Sequence, residues 1–491
     1  MSIIYSAIPA TTPGLTEDQA ETLRAVLPEE VVQAIGRAIY SGSESSAVNA
    51  ALEHGADPTG VLDSSAAIQA AIDAGGSCRL PAGTYRIEST LVITSVRPYR
   101  FFGDGVGETL IVWDGAAGED MLRIENSQYV EVSDMELRGN TTTPPRACLY
   151  LMFDEDDYAY VPFNQNIYRM WLGAVGANTG LMNMCEYGIL IDNGTSVLDY
   201  NNSEHNFDHV DIECCSEAGI KINQNQAKTL VFRRCNISTA PIGVDCQDGA
   251  FSWYNGNINC DVDDKSGICF ELAAPNDGIL IEGMNSENTG RLLRTGNGVY
   301  GGSGWPITFR NSRFAGNEAN PDGVIIEHTF RGPLIIEGCL FDAWEEIAGT
   351  PLQFTLGSSI ATAKVVIRGN EFNGTDSYTN SIVKDGAALG VIEEDNVYFD
   401  TGAGSFFPRA HSGTLDFVEA DASKAHTFEI PVHLGAAAAI PYTITCTVSE
   451  RTGSTEQVLE VTKTATGFTV YLDGTLGAGE TLSIDWQLRW K

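Results

Sequence analysis

Leu334 to Phe341 reads LIIEGCLF, and a closely similar octet stands 27 residues earlier as ITFRNSRF, Ile307 to Phe314. In both, apolar residues fill the first, third and eighth places, and Gly or Asn fills the fifth. Moving outward recovers VVIRGNEF from Val365 and GVIEEDNV from Gly390 on one side. On the other stand ILIEGMNS from Ile279, FSWYNGNI from Phe251, LVFRRCNI from Leu230, HNFDHVDI from His205, QNIYRMWL from Gln165 and VEVSDMEL from Val130. Successive starts lie 21 to 40 residues apart. Gln165 and His205 fit the first place poorly, and Ser286 fits the eighth poorly.

A second short strand follows most octets: GILI at Gly188, GIKI at Gly219, GVDC at Gly243, GICF at Gly267, GVII at Gly323 and SIVK at Ser381. Short strands at such a period, separated by Gly and Asn, are the mark of a solenoid. Alternation turns places 1 and 3 inward. A left-handed residue at place 5 (Asn255, Gly283, Asn311, Gly338, Gly369) then turns places 6 and 8 inward as well. The octet is therefore read as one bend of a parallel β-helix, with an antiparallel sandwich of similar strands as the competing architecture.

Stacking the octets predicts two outward columns. Place 4 runs Glu282, Arg310, Glu337, Arg368, Glu393, with opposite charges alternating up the helix. Place 2 runs Leu280, Thr308, Ile335, Val366, Val391, too apolar for a bare face. A second copy of the chain is expected to cover it, with a loop of the same chain as the other candidate.

The bulk composition narrows the function. Formal net charge is −36, from 29 basic and 65 acidic residues, which excludes a nucleic-acid partner. No stretch approaches the ~18 apolar residues of a membrane span, so no membrane insertion is expected. MSIIYSAIPATTPGL lacks the basic and apolar regions of a signal peptide. Eleven cysteines at irregular spacing, several in apolar strands (Cys235, Cys246, Cys339), read as reduced core thiols made in a reducing cytoplasm, without zinc.

Upstream of the octets, HGADPTGVLDSSAAIQAAIDAGGSCRLPAGTYRIESTLVI is followed by FFGDGVGETLIVWDG. An amphipathic helix from Asp63 to Ala74, capped by Ser64 or Asp63 and ended by Gly75-Gly76, would close the open end of the solenoid. Pro81 and Gly83 would then turn the chain into its first strand, Thr84 to Ile87. Gly55-Ala56-Asp57, Gly60, Asp63, the Ala66–Ile72 helix, Leu80-Pro81-Ala82-Gly83-Thr84-Tyr85 and Gly103-Asp104-Gly105 together resemble the pectate-lyase-like right-handed β-helix family of bacteriophage tailspikes and polysaccharide depolymerases. The resemblance proper covers Gly55 to about Gly115. It implies a homotrimeric spike on a virion or phage-like particle, and these residues themselves are structural in the family.

Three regions follow. Residues 1–54 suggest two short helices broken at Pro28, an attachment or neck segment by which the spike would join a tail or head protein. Residues 55–404 hold the capping helix and the right-handed parallel β-helix. Residues 405–491 read as a C-terminal antiparallel β-sandwich, in HTFEIPVHL, PYTITCTVSE, EQVLEVTKTA, GFTVYLDG and TLSIDWQLRW.

Chemistry is expected in the two longest gaps between octets, where acids mix with Tyr150, Tyr158, Tyr160 and nearby Trp171. Aromatic faces can stack on sugar rings while carboxylates bind hydroxyls. Hydrolysis needs two carboxyl groups, and the candidates are Asp157, Asp208, Asp211 and Glu213, with Glu204 just before them. Asp211 should stand directly above Trp171, a setting that favours a general acid. Arg233 and Arg234, one coil beyond Asp208, are basic candidates for holding a uronate carboxylate in a lyase. DEDD at Asp154 and DVDD at Asp261 leave Ca²⁺ possible, without EF-hand spacing; no other cofactor or metal is expected. GxSxG is absent.

The resulting expectation is a receptor-binding spike that recognises, and cleaves, a bacterial surface polysaccharide, capsule or lipopolysaccharide. The alternatives are a binding-only adhesin spike and a free bacterial lyase or hydrolase. Were the glycan anionic, this acidic chain should bind it more tightly as salt rises.

Overall fold

The computed structural model describes residues 47–153 apart from position 96, 164–174, 183–194 and 202–260, and in part those from 266 to 490. The proposed N-terminal helices lie outside the described residues. Two parallel sheets, of 21 and 11 strands, run along the solenoid. The larger holds the octets, and the smaller holds the second strands, such as Cys185–Asp192, Cys215–Asn223 and Ile242–Asp248. With the right-handed sense that parallel crossovers take, this is a right-handed parallel β-helix.

The fifth place carries the bend. From Asp134 to Gly369 its nine residues all have left-handed φ: Asp134 60°, Arg169 50°, His209 54°, Arg234 52°, Asn255 59°, Gly283 69°, Asn311 49°, Gly338 64° and Gly369 61°. The larger sheet is thereby folded into a wall before the bend and a short wall after it. In the early coils one strand crosses the bend, as in Val130–Arg138. Later the arms separate, as in Ile279–Glu282 and Asn285–Ser286. Two of the later glycines have a steric reason as well. A Cβ on Gly283 would stand 2.6 Å from Asn255 Oδ1, and one on Gly338 would stand 2.8 Å from Asn311 Oδ1.

Inward places form the core. Place 3 stacks Phe207 on Phe232 at 4.6 Å between ring centres and Phe232 on Trp253 at 5.5 Å. Ring contacts continue through Phe251, Phe270, Phe309, Phe314 and Phe341 to Phe372. The two polar residues at place 1 are accommodated by hydrogen bonds. Gln165 Oε1 accepts from Val130 N at 2.8 Å, and Gln165 N donates to His205 Nδ1 at 3.2 Å. His205 Nε2 then donates to Asn202 Oδ1 at 2.7 Å, and Asn202 Nδ2 donates to Leu151 O at 3.3 Å. Burial holds His205 neutral, its pKa lowered to about 3.

The outward columns stand in the expected register with one correction. Glu282, Arg310, Glu337 and Arg368 are successive partners, and Glu337 pairs with Arg310 at 3.5 Å and Arg368 at 2.8 Å. Arg368, however, partners Glu394, and Val365 partners Val391. The last coil therefore starts at Val391 rather than Gly390, because Gly390 has no side chain to place inward. The charged column ends in Glu394, not Glu393, and the apolar column in Ile392, not Val391. Leu280, Thr308 and Ile335 are half-buried and Val366 is buried.

The capping helix spans Ser65–Asp73, with Gly75 and Gly76 both at left-handed φ beyond it. Asp63 Oδ1 accepts from Ser65 N at 2.9 Å, whereas Ser64 makes no side-chain cap and instead accepts from Asp57 N. A short helix, Ala50–His54, precedes it. It was not expected from sequence, since five residues are too few for a periodic signal. Gly83 opens the strand Gly83–Ile87, where a Cβ would fall 2.6 Å from Pro58 Cβ. All eleven cysteines are free thiols, and ten are buried. Beyond the solenoid the described strands form two three-stranded antiparallel sheets, built from 410–418, 481–490 and 442–452 and from 425–429, 467–472 and 458–463.

Candidate functional site

The short wall is bracketed by left-handed residues at both ends. His209 (φ 54°) and Cys214 (φ 61°) enclose Val210–Glu213; Arg234 (φ 52°) and Thr239 (φ 56°) enclose the next coil. Of the thirteen non-glycine residues with positive φ among those described, twelve lie between Asn126 and Asn255. Left-handed backbone costs an L-residue ~1–2 kcal/mol, and such strain collects at functional sites. Gly173, in the coil below Glu213, has φ 104°, and a Cβ there would lie 1.8 Å from Glu213 O. Only glycine lets the two coils approach so closely.

Outward side chains of the short wall form a groove of ≈ 280 Å³, lined by Asp211, Glu213, Asn236, Ser238 and Asn257 together with Ile212 and Ile237. The place-7 column reads Glu136, Trp171, Asp211, Asn236, Asn257, Asn285 in direct register. Asp211 thus stands above Trp171, as the octet alignment required. Asn236 Nδ2 donates to Asp211 Oδ1 at 2.5 Å, and Asn285 Nδ2 donates to Asn257 Oδ1 at 3.0 Å. Asp211 and Glu213 are two residues apart on one strand and share its outward face.

Asp208 lies elsewhere. It precedes the bend at His209, on the other wall, between Tyr168 and Arg233 in register. Its carboxylate is held by Arg234, through Nε at 3.0 Å and Nη2 at 2.5 Å, with His209 Nδ1 at 3.1 Å. Only two residues separate Asp208 from Asp211 in sequence, yet the left-handed turn puts them on different faces. Glu204 is exposed at another left-handed corner, φ 63°. Asp157, Tyr158 and Tyr160 lie outside the described residues, as do DEDD and DVDD.

Tyr150 is not a sugar platform. It is fully buried, its hydroxyl bonded to Asp192, with the Arg146 and Arg123 guanidinium groups 4.7 and 5.7 Å from its ring centre. Arg146 is anchored in turn by the buried Asp120 at 2.8 and 2.9 Å. Ala147, Met152 and Leu190 complete the packing around the ring, which leaves no face for a ligand.

Sequence reasoning missed Glu136. It is 2% exposed, and burial raises its pKa against the opposing pull of the Arg138 guanidinium, 2.8 Å away. Glu136 and Asp211 flank Trp171, whose indole N–H is buried without an acceptor among the described residues. The signal was present, since Glu136 holds place 7 of the octet VEVSDMEL. The amides of Asn236 and Asn257 were likewise readable from their octets.

The corner beside the groove carries Asp134, Arg169, His209 and Arg234. Arg169 binds Asp134 through Nε at 2.5 Å and Nη2 at 2.6 Å, and its guanidinium lies 4.4 Å from the Tyr168 ring centre. Exposed ion pairs contribute only ~0.2–1 kcal/mol, no more than the backbone strain at these positions.

Residues 47–269 match the family model described as rhamnogalacturonase A/epimerase, pectate lyase-like. Mannuronan C5-epimerase AlgE2 of Azotobacter vinelandii is 38% identical over 104 residues, which is 18% of this chain and 10% of that protein. The Dettilon tailspike protein gp208 superposes at TM-score 0.51 with 12% identity, covering 90% of this chain and 94% of its own. The tailspike gp49 of Pseudomonas phage LKA1 gives 0.51 with 11% identity, covering 90% and 99%. Among the described residues no helix is long and apolar enough to cross a membrane. Residues 47–269 are thus similar in sequence to the pectate-lyase-like family, and the solenoid has the parallel β-helix fold that these two tailspike structures share.

Proposed function

We propose that this chain is the receptor-binding spike of a phage or phage-like particle, and that its ligand is a bacterial surface polysaccharide held along the short wall. The observation that carries the reading is the groove itself. Its carboxylates, amides and hydroxyl repeat once per coil on a strained, outward face. Such a lining suits sugar hydroxyls, and the fold it stands on is that of the tailspikes named above. Residues 1–54 would attach the spike to a tail or head protein. Three copies would associate through the column Leu280, Thr308, Ile335 and Val366, with the Glu–Arg ladder fixing register.

Cleavage is assigned to Asp211 and Glu213. Two residues apart on one strand face, their Cα atoms are roughly 6.5–7 Å apart, and inversion requires their carboxyl groups to stand about 6.5–9.5 Å apart with a water between them. One observation favours the binding-only alternative: Asn236 already occupies Asp211 Oδ1. Incubation with purified capsule and lipopolysaccharide separates the two. New reducing ends support hydrolysis, and unsaturated uronates would support a lyase. Binding with neither product leaves an adhesin, and no binding to either material removes the reading.

A further inference from the structure

The place-7 side chains of the short wall form a hydrogen-bonded chain with a direction. Arg313, one coil beyond Asn285, donates Nη1–H to Asn285 Oδ1 at 3.2 Å. Asn285 Nδ2 donates to Asn257 Oδ1 at 3.0 Å, and at the far end Asn236 Nδ2 donates to Asp211 Oδ1 at 2.5 Å. A guanidinium only donates and an ionised carboxylate only accepts, so the two ends fix which way each amide faces. Asn257 is left with its NH₂ group and Asn236 with its carbonyl oxygen, a donor and an acceptor on partnered positions of adjacent coils. No bond joins them, and neither atom has another partner among the described residues. One coil spacing suffices for the same bond between Asn285 and Asn257, so the rise of the helix does not forbid it. Between Asp211 and Arg313 the ladder is therefore open at one rung, and both residues of that rung line the groove. The backbone is unusual at the same point. Gly256, immediately before Asn257, has φ 88° beside Asn255 at 59°, whereas the other described coils from Asp134 to Gly369 are left-handed at the fifth place without the sixth.

We propose that the open rung is a hydroxyl-recognition subsite, in which one hydroxyl of the glycan accepts from Asn257 Nδ2 and donates to Asn236 Oδ1. The inference rests on the glycan reading above and adds a selectivity: the hydroxyl must be unsubstituted. A hydroxyl donates and accepts at a single oxygen, which is what the rung lacks. An ester, ether or carboxylate oxygen only accepts. An O-acetylated or O-methylated sugar would satisfy Asn257 and leave Asn236 Oδ1 facing an atom with no proton to give, and an unpaired acceptor in a contact costs more than the bond itself returns. The bound hydroxyl makes the chain continuous from Arg313 to Asp211, and hydrogen bonds in such a chain strengthen one another. It also fixes where the sugar lies, since the rung stands one to two coils, roughly 5–10 Å, from Asp211 on the same outward face.

The test is equilibrium binding of the full chain to purified capsule and delipidated lipopolysaccharide, each freed of ester groups by mild alkali and then compared with its chemically O-acetylated form. A polymer that binds is titrated against Asn236→Ala, Asn257→Ala and the double variant. Each single variant should weaken binding about five- to tenfold. Because one hydroxyl serves both amides, the double variant should bind no more weakly than the weaker single one. O-acetylation should weaken binding to the unsubstituted chain, and by a smaller factor in Asn236→Ala, where no acceptor is left unpaired. Asn257→Asp keeps the side chain's shape and its bond from Asn285 but presents no donor to the rung, so it should repeat the loss and keeps the test intact if an alanine variant misfolds. Losses that add in the double variant, affinity that ignores all the substitutions, or an acetylation penalty unchanged in Asn236→Ala overturn the subsite and leave the glycan reading standing. Binding to no polymer overturns both.

Discussion

Asn236 reaches across one coil to Asp211, donating Nδ2–H to Oδ1 at 2.5 Å, and so fixes one oxygen of a carboxylate that lines the groove. If Asp211 is an acid or base in cleavage, Asp211→Asn should lower the rate by about 10²–10⁴-fold while glycan binding persists. Reducing-end release and equilibrium binding, measured on the same preparation, check this. Unchanged release would move the chemistry off the short wall.

Asp208 gives the contrasting case. It is tied to Arg234 on the far side of the bend, with its side chain 34% exposed. Asp208→Asn is expected to leave reducing-end release intact and to cost at most about 1 kcal/mol in urea unfolding. A loss of activity matching that of Asp211→Asn would show that the two carboxylates work together.

The bend column predicts an order among glycine variants. Gly283→Ala meets both the left-handed strain and the Asn255 Oδ1 contact, whereas Gly369→Ala meets open space and strain alone. Gly369→Ala should cost ~1–2 kcal/mol, and Gly283→Ala more. In a double-mutant cycle, Asn255→Ala should recover the excess at Gly283. Urea midpoints read all four species.

Two buried histidines are expected to make the solenoid acid-labile. Burial lowers His205 to about 3 and His328 to about 4 from an ordinary 6.5. Below pH 6.5 the unfolded chain takes up protons that the folded chain refuses, so stability falls as pH drops toward those values. Above pH 6.5 these groups have no effect. The slope is up to about 1.4 kcal/mol per pH unit for each histidine. His205→Gln should flatten the pH 6.5-to-4 decline in urea midpoint, and an unchanged slope would assign the acid sensitivity to other groups.

Ile335 stands half-buried between Thr308 and Val366 on the apolar column. Ile335→Glu should split a trimer into monomers by sedimentation, with the monomer's β-sheet circular dichroism retained. A chain that sediments as a monomer before substitution would show that this face is covered in some other way.

The solenoid was legible because its signal is carried by residue type at fixed places, and stacked coils repeat that signal many times. Failures came where one coil departed from type. Gly390 offered no apolar letter to set the register, and Gln165 and His205 keep their inward places only through hydrogen bonds from neighbouring coils. The groove was half legible. Column arithmetic put Asp211 over Trp171, but it could not show that His209, neither Gly nor Asn, turns the chain and carries Asp208 to another wall. Tyr150 misled for a related reason: an aromatic beside acids reads the same whether its ring faces sugar or two arginines.

The left-handed fifth place also divides the labour of the octet. Places 1, 3, 6 and 8 maintain the coil, while places 2, 4 and 7 face outward and, where exposed, can change without disturbing it. One coil is then the smallest unit by which such a chain can lengthen, shorten or be re-lettered. A new surface specificity would need only a few outward substitutions on an unaltered scaffold, and two chains of this kind could share almost every inward residue while binding unrelated ligands.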